Sequence, residues 1–415
     1  MDNKLTNPNF IEQCKSKPQD FTRKRSFSFK SLSLFIISSL QSSIQRELDR
    51  FFKSYNDKDV PERFVTQSAF SQARYKIKPE AFIELNNDIV QHFYSEYSYK
   101  TWKGHRLIAI DGSEIKLPKN AETIAEYGEH QTNLMPESGV MARISKSYDV
   151  LNNITIDTKL AYRKVGEHTL AKGHLDLGIE NDLYLFDRGY PSFDLFREVL
   201  INGGHFCARV AISNWNASKE LIETGEKEKV AFIKPGYNIR KKYKAAGIEI
   251  VPMECRFILV ELPNGGEEVL ITSLLNKDEY PNNIFKWLYH QRWAVEESYK
   301  KDKIVLQFEN FSGFSKIAIE QDFYATILLG NLTSILSFNI EIVPKKRKRK
   351  YQYQVNVTSA LSKVKGVLAL LFTKQNIINL LERLMVAIAS NILPVRPNRS
   401  FERASKRDRH RAKQR

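Results

Sequence analysis

The sequence predicts an α/β protein in which a mixed sheet carries packed helices, helical regions stand at both ends, and a β-rich segment is inserted. Three observations predict it. Between residues 105 and 212, short β-rich runs alternate with helical ones, a pattern that builds sheet and helix together. From 213 to 280 the helical period gives way to β runs. Toward both ends, apolar residues recur at spacings of three and four, as on one face of a helix.

A chain of 415 residues, 42% of them hydrophobic, is long enough for two or three domains with a sizeable core. Lys and Arg outnumber Asp and Glu by 64 to 48, leaving a formal charge of +16. Such an excess calls for a polyanionic partner, nucleic acid first and an anionic membrane second. The apolar run 32–40 is broken by Ser33, Ser38 and Ser39 and is too short to span a bilayer. The polar stretch before it contains Asp2, Glu12 and Asp20, unlike a signal peptide. Cys14, Cys207 and Cys255 are scattered and odd in number, so neither disulfides nor a structural zinc is expected, and the protein should be intracellular.

Residues 1–24 are polar, and little order is expected there. Residues 30–52 repeat apolar side chains from Leu34 to Phe51 at helical spacing and predict one amphipathic helix. Thr66 is a good N-cap for a second helix carrying Arg74 and Lys76, and a third follows over 80–94. Helix, turn and basic helix suit a small DNA-binding module, or equally an ordinary helical domain with solvated lysines.

Residues 106–110 form a β-rich run that ends on Asp111-Gly112-Ser113 and resumes over 114–117. Strands are predicted over 142–150 and 154–161 with a turn at Asn152-Asn153, then a helix over 167–176. An apolar strand at 183–186 leads into Asp187-Arg188-Gly189-Tyr190, followed by a helix over 193–200 and a strand over 205–212. The segment 213–280 reads as all-β, with a run near Ile248 and a hairpin turning on Pro263-Asn264-Gly265-Gly266. Pro281-Asn282-Asn283 starts a helix with neither Gly nor Pro before Gly313. Helices over 317–338, 357–372 and 375–391 complete the pattern, interrupted by the basic run 345–350 and followed by a basic tail after Pro397. That run suits a loop beside a phosphate backbone, or a solvated loop without a specific partner. The divisions are therefore 1–100, 101–212, 213–280, 281–340 and 341–415.

Asp111 and Asp187 each end an apolar strand, where a sheet presents side chains at its edge. Both also have a bland explanation as turn residues, Asp-Gly being a good hairpin turn. On the long helix, Tyr289, Arg292, Glu296 and Lys303 fall within about 60° of one another at ~100° per residue. Ile284, Trp287, Leu288, Val295 and Tyr299 line the adjoining face, suited to docking on a core. Taken alone, Arg292 and Glu296 are spaced as a surface i,i+4 pair. Glu297 would point ~100° away from Glu296. Three carboxylates from two strands and a helix, in a basic protein, suit two hard cations at a phosphodiester. Mg²⁺ fits such oxygen donors, with Mn²⁺ able to substitute. No Ser/His/Asp or Cys/His arrangement supplies a covalent nucleophile, and no Gly-rich phosphate loop supports NTP hydrolysis.

Asp111-Gly112-Ser113, Asp187-Arg188-Gly189-Tyr190 and the Y-x2-R-x3-E-x6-K pattern of Tyr289, Arg292, Glu296 and Lys303 resemble the DDE transposases of the insertion sequence four family. The stretches QSAFSQARYKIKPEAF, AYRKVGEHTLAKGHL and SFERASKRDR are also similar to that family, so the likeness runs from about residue 60 to 405. His290-Gln291 departs from it, standing where basic residues are common. The resemblance implies a ribonuclease-H-like catalytic core with a helical N-terminal DNA-binding region and a β-rich insertion before the catalytic glutamate. It implies cut-and-paste transposition of an insertion sequence in a prokaryotic, nucleoid-associated cytoplasmic setting. The partners would be double-stranded DNA with terminal inverted repeats, target DNA and a second copy of the chain, with no membrane. Asp111, Asp187 and Glu296 would hold the metal, and Tyr289, Arg292 and Lys303 would contact DNA. Arg188 would meet either a phosphate or a structural ion-pair partner. His168 and His174 would pack or support ligands, and Trp215 is a candidate to stack on a flipped base. A catalytically inactive or domesticated DNA-binding protein on the same scaffold, and a general metal nuclease, are the competing readings.

Overall fold

The computed structural model describes the chain apart from residues 24, 39–41, 133–134, 263–265, 308, 341, 343–350, 375 and 397–415. The basic run 345–350, the tail after Pro397 and most of the expected 263–266 turn lie outside the described residues. The chain divides into two compact units, one built from Met1–Ile89 with Asn310–Arg415, the other from Val90–Glu309.

The N-terminal part of the first unit holds helices α1 (Asp2–Thr6), α2 (Pro8–Cys14), α3 (Phe29–Ile37), α4 (Ile44–Tyr55) and α5 (Gln67–Arg74). Helix α6 (Glu80–Glu96) runs into the second unit. The first residues are ordered, contrary to expectation, because Leu5, Phe10 and Cys14 supply a buried stripe and Asn7 caps α2. The helix expected over 30–52 is two, α3 and α4, each with its own buried face. Thr66 does cap α5, accepting from the Ala69 amide at 3.2 Å. Arg74, however, turns inward. Its guanidinium is 3% exposed and donates to Gln321, Ser312, Asp322 and the Ala318 carbonyl, so it belongs to the core of this unit and not to a basic surface.

The second unit contains β1 (Leu107–Leu117), α7 (Ala121–Tyr127), β2 (Glu129–Thr132), β3 (Met135–Asp149), β4 (Ile154–Tyr162), α8 (Glu167–Lys172), β5 (Leu183–Phe186), α9 (Phe193–Ile201) and β6 (His205–Val210). There follow α10 (Asn216–Thr224), β7 (Glu228–Ile233), α11 (Tyr237–Ala245), β8 (Met253–Glu261), β9 (Glu267–Thr272), α12 (Phe285–His290) and α13 (Trp293–Ile304). Strands β4, β3 and β1 are antiparallel neighbours, and β5 and β6 continue beyond β1 in parallel. Three antiparallel strands followed by two parallel ones form the ribonuclease-H-like core. Strands β9, β8 and β7 extend the same sheet from β6, so the inserted segment lengthens the core sheet. It is not all-β. Helices α10 and α11 interrupt it, α11 carrying Arg240, Lys241, Lys242 and Lys244, and Ile248 lies outside any strand. A run of four cations hid the apolar side of α11, where Tyr243 is buried.

One face of the sheet carries an apolar core of Ile108, Ile110, Tyr184, Phe186, Phe206 and Ala208, packed with Phe196 and Val199 of α9. Alternation along the strands sends the next residue of each to the opposite face.

The C-terminal part of the first unit adds α14 (Lys316–Phe338), β10 (Tyr353–Val355), α15 (Val357–Leu371), α16 (Ile377–Ala389) and β11 (Ile392–Pro394), with β10 and β11 paired antiparallel. Among the described residues no helix is long and apolar enough to cross a membrane.

Candidate active site

The register of the parallel strands explains how two distant aspartates meet. Ile110 of β1 pairs with Phe186 of β5, and Phe186 with Ala208 of β6. The next residue along each strand is therefore Asp111, Asp187 and Arg209, side by side on the face away from the apolar core. Across β1 on the other side, Asp111 pairs with Lys146 of β3. A row of charges, Lys146, Asp111, Asp187 and Arg209, thus crosses four strands. Strand β1 does not turn at Asp111-Gly112; it continues to Leu117, paired with β3, so the hairpin explanation of Asp-Gly fails.

Over this face lie α12 and α13. The single helix expected from the lack of Gly and Pro is broken at Gln291-Arg292 by a tight turn. There the Arg292 amide donates to the Tyr289 carbonyl, three residues back, at 3.1 Å. Tyr289 is buried, and its phenol donates to Asp187 Oδ1 at 3.3 Å. Burial pushes that phenol up, so it remains a proton donor. Arg292 is 4% exposed and donates to Glu296 at 2.7 Å, while its Nε and Nη1 have no partner among the described residues. Trp287 is exposed, whereas Leu288, Val295 and Tyr299 dock as expected. Glu297 is exposed and paired with Lys300.

Helix α13 is anchored at three points. Lys146 is fully buried, donates to Asp302 and to Ser298 at 3.3 Å, and lies 4.8 Å from the centre of the Tyr299 ring. Tyr299 donates to the Asp111 carbonyl at 2.8 Å. Lys303 donates to Ser113 Oγ at 3.0 Å and to the Glu114 carbonyl at 2.8 Å. These bonds anchor α13 to β1 and β3 without using the Glu296 carboxylate.

Burial pushes the Asp111 carboxyl up to about 6, opposed by the Gly112 amide it accepts from and by Arg292, and reinforced by Glu296 and Asp187. Glu296 and Asp187 are thus both charged neighbours of Asp111. All three offer oxygen donors to a hard cation. Among the described residues, no group of three His, Cys, Asp or Glu side chains is already gathered as a metal cage. Asp187 and Glu296 are instead paired with Arg209 at 3.2 Å and Arg292 at 2.7 Å.

Two groups at the site escaped sequence reasoning. Arg209 bridges Asp187 and Glu268, bonding the latter at 2.6 Å. A lone arginine in the apolar strand HFCARV was the available signal. Glu167 lies close to Gly112, where a Cβ would stand 3.1 Å from Oε1. Arg188 is exposed and makes no ion pair among the described residues. His168 donates to the Gly189 carbonyl at 3.0 Å and so steadies the loop after Asp187. Trp215 is half-buried between Phe196 and Phe257, at the edge of a cavity of about 520 Å³ that also exposes Phe232, Lys229 and Lys234.

The structure also contains a Ser/His/Asp line that the sequence did not reveal. Ser145 donates to His174 Nε2 at 2.9 Å, and His174 Nδ1 donates to Asp157 at 2.6 Å. Ser145 and His174 are 0% and 1% exposed, beyond the reach of a substrate. Burial alone would raise Asp157, yet the bonds from His174 and Lys159 hold it below its ordinary range. This line ties β3 and β4 to the segment after α8. Ser145→Ala should cost about 1 kcal/mol in urea unfolding; an unchanged unfolding midpoint would mean that this line does not hold the strands.

Residues 102–332, more than half of the chain, match the family model described as transposase DDE domain. The chain is 25% identical over 275 residues to the transposase InsG for insertion sequence element IS4 of Escherichia coli strain K12, covering 65% of this chain and 60% of that protein. It is 26% identical over 173 residues to the putative transposase InsZ of the same strain, covering 41% of this chain and 57% of that one. The chain thus spans less than two thirds of the length of these relatives. A piggyBac transposase synaptic complex with hairpin DNA, solved by cryo-EM, aligns with 98% of this chain and 87% of its own at 10% identity and a TM-score of 0.47. With the family model matched across most of the sheet and both helices above it, this chain belongs to the DDE transposases, and the insertion-sequence-four transposase is among its relatives.

Proposed function

We propose that this protein is a DNA transposase that cuts at the terminal inverted repeats of an insertion sequence and joins the freed 3′ ends to target DNA. The observation that supports this reading is the pairing of Ile110 with Phe186, after which Asp111 and Asp187 come next on neighbouring strands, with Glu296 a charged neighbour of Asp111. Asp111, Asp187 and Glu296 would hold the divalent cations, Mg²⁺ first and Mn²⁺ as a substitute. When bound, two such ions would supply Lewis acidity for a phosphodiester displacement.

The chain's own residues do the positioning. Tyr289 orients Asp187, Arg292 orients Glu296, and Tyr299 and Lys303 fix β1 beneath them. Arg292, Tyr289, Lys303 and the exposed Arg188 are the proposed contacts to the transposon-end backbone. In the protein without DNA the first three are engaged internally, so those contacts require exchange of partners. The formal charge of +16 supplies a general attraction for DNA that should fall steeply with salt. A helical DNA-binding region at the N-terminus, a homodimer bridging two ends, and a cytoplasmic, nucleoid-associated setting complete the reading.

The test is cleavage of a labelled transposon end with and without Mg²⁺. The wild type should cut only with the metal, and Glu296→Ala should lose cutting while still binding the end. Cutting by Glu296→Ala sinks the assignment, and equal cutting of DNA lacking inverted repeats would mark a general nuclease.

A further inference from the structure

We infer that Arg209 is the internal counter-cation of Asp187 in the DNA-free protein, competing with the divalent cation until a phosphodiester draws the guanidinium away. The inference rests on the reading of Asp187 as a metal ligand. Arg209 sits in register beside Asp187, with Nη2 3.2 Å from Oδ1. Its other arm holds Glu268 at 2.6 Å, the shorter of the two bonds. Its Nε is buried and has no partner among the described residues. A guanidinium has five donors in a fixed fork, so Arg209 has capacity for another acceptor without releasing Glu268.

A cation entering beside Asp187 meets this fixed positive charge, and the two compete for one carboxylate. Arg209 also lines an open cavity of about 470 Å³ together with Arg188, Lys219, Ser213 and Glu268. Glu267 also lines it, so three cationic side chains face two carboxylates, one of them already bonded to Arg209, and the remaining positive charge suits a phosphodiester, which arginine binds in bidentate fashion. Moving Arg209 from Asp187 to a phosphate would free the carboxylate as DNA arrives. Metal and DNA then load cooperatively, each raising the affinity for the other by the same factor.

The experiment is a titration of Mn²⁺ alone into the full-length protein, with free Mn²⁺ followed by electron paramagnetic resonance, repeated with a short DNA duplex present. Arg209→Gln should bind Mn²⁺ roughly tenfold more tightly than wild type without DNA, and Arg209→Lys, which keeps the charge, should behave as wild type. The duplex should strengthen Mn²⁺ binding to wild type and leave Arg209→Gln unchanged. Equal or weaker binding by Arg209→Gln, or equal strengthening of both proteins by the duplex, overturns the inference. Asp187→Asn separates the two levels. If it still binds Mn²⁺ as wild type does, the ligand reading itself is wrong; if it loses Mn²⁺ while Arg209→Gln gains nothing, only the role of Arg209 falls.

Discussion

Replacing Asp111 by asparagine is expected to remove DNA cleavage and at the same time to stabilise the metal-free protein at neutral pH. The carboxyl is raised from 3.8 to about 6 by burial and by Glu296 and Asp187, so the folded state binds its proton more tightly than the unfolded state does. Stability therefore falls as pH rises from about 4 to about 6, and the full cost of the charge persists above that window. Allowing for partial solvent exposure, the asparagine variant should be more stable by about 1–2 kcal/mol at pH 7. The gain should vanish near pH 4. Thermal unfolding across pH 4–8 without divalent metal reads this directly; a gap that fails to grow with pH contradicts the account. Mg²⁺ or Mn²⁺ should raise the melting temperature of the wild type and not that of the variant. Cleavage should fall by a factor of roughly a hundred to a thousand or more, with end binding retained.

Lys146→Met is expected to have the largest effect on stability. Lys146 is 0% exposed and its partner Asp302 only 10%, so removing the ammonium leaves a carboxylate buried without its counter-charge. Breaking such a pair from one side costs about 3–5 kcal/mol, whereas replacing both partners by apolar groups of similar volume is often neutral. Urea unfolding of Lys146→Met should show that loss, and Lys146→Met with Asp302→Leu should recover most of it. A double variant as unstable as the single one would mean that Lys146 acts through packing against Tyr299. Because the pair pins α13 to β3, the single variant should also lose cleavage out of proportion to its unfolded fraction.

What the sequence made legible were features written in local chemistry. Strand β5 is four apolar residues, Leu183–Phe186, ended by a charge, and it forms with those bounds. Thr66 before an apolar period gave the start of α5. Asp111 and Asp187 were legible as charges ending apolar strands, and Glu296 as a carboxylate on a helix. Their adjacency was not, since it depends on the pairing of Ile110 with Phe186, which no local pattern encodes. For the same reason Arg209 was missed, and Arg74 was placed on a surface although its acceptors Gln321 and Asp322 come from the other end of the chain. The break between α12 and α13 needs no Gly or Pro. The long-range bond from Tyr289 to Asp187 accompanies the tighter turn, a case of tertiary structure overriding propensity.

The first compact unit is assembled from both ends of the chain, and that has a consequence for how the protein comes into being. The buried bond between Asn86 and Asn331 joins residues 245 apart in sequence, and the Arg74 to Gln321 bond spans 247. On a ribosome moving at ~5–20 residues per second, the N-terminal helices wait on the order of ten to fifty seconds for the partners that complete their core. Residues 90–309, being contiguous, can close first. Throughout that interval α3 stands without α14 and α4 without α15, so apolar surface that ends up buried stays open on the nascent chain.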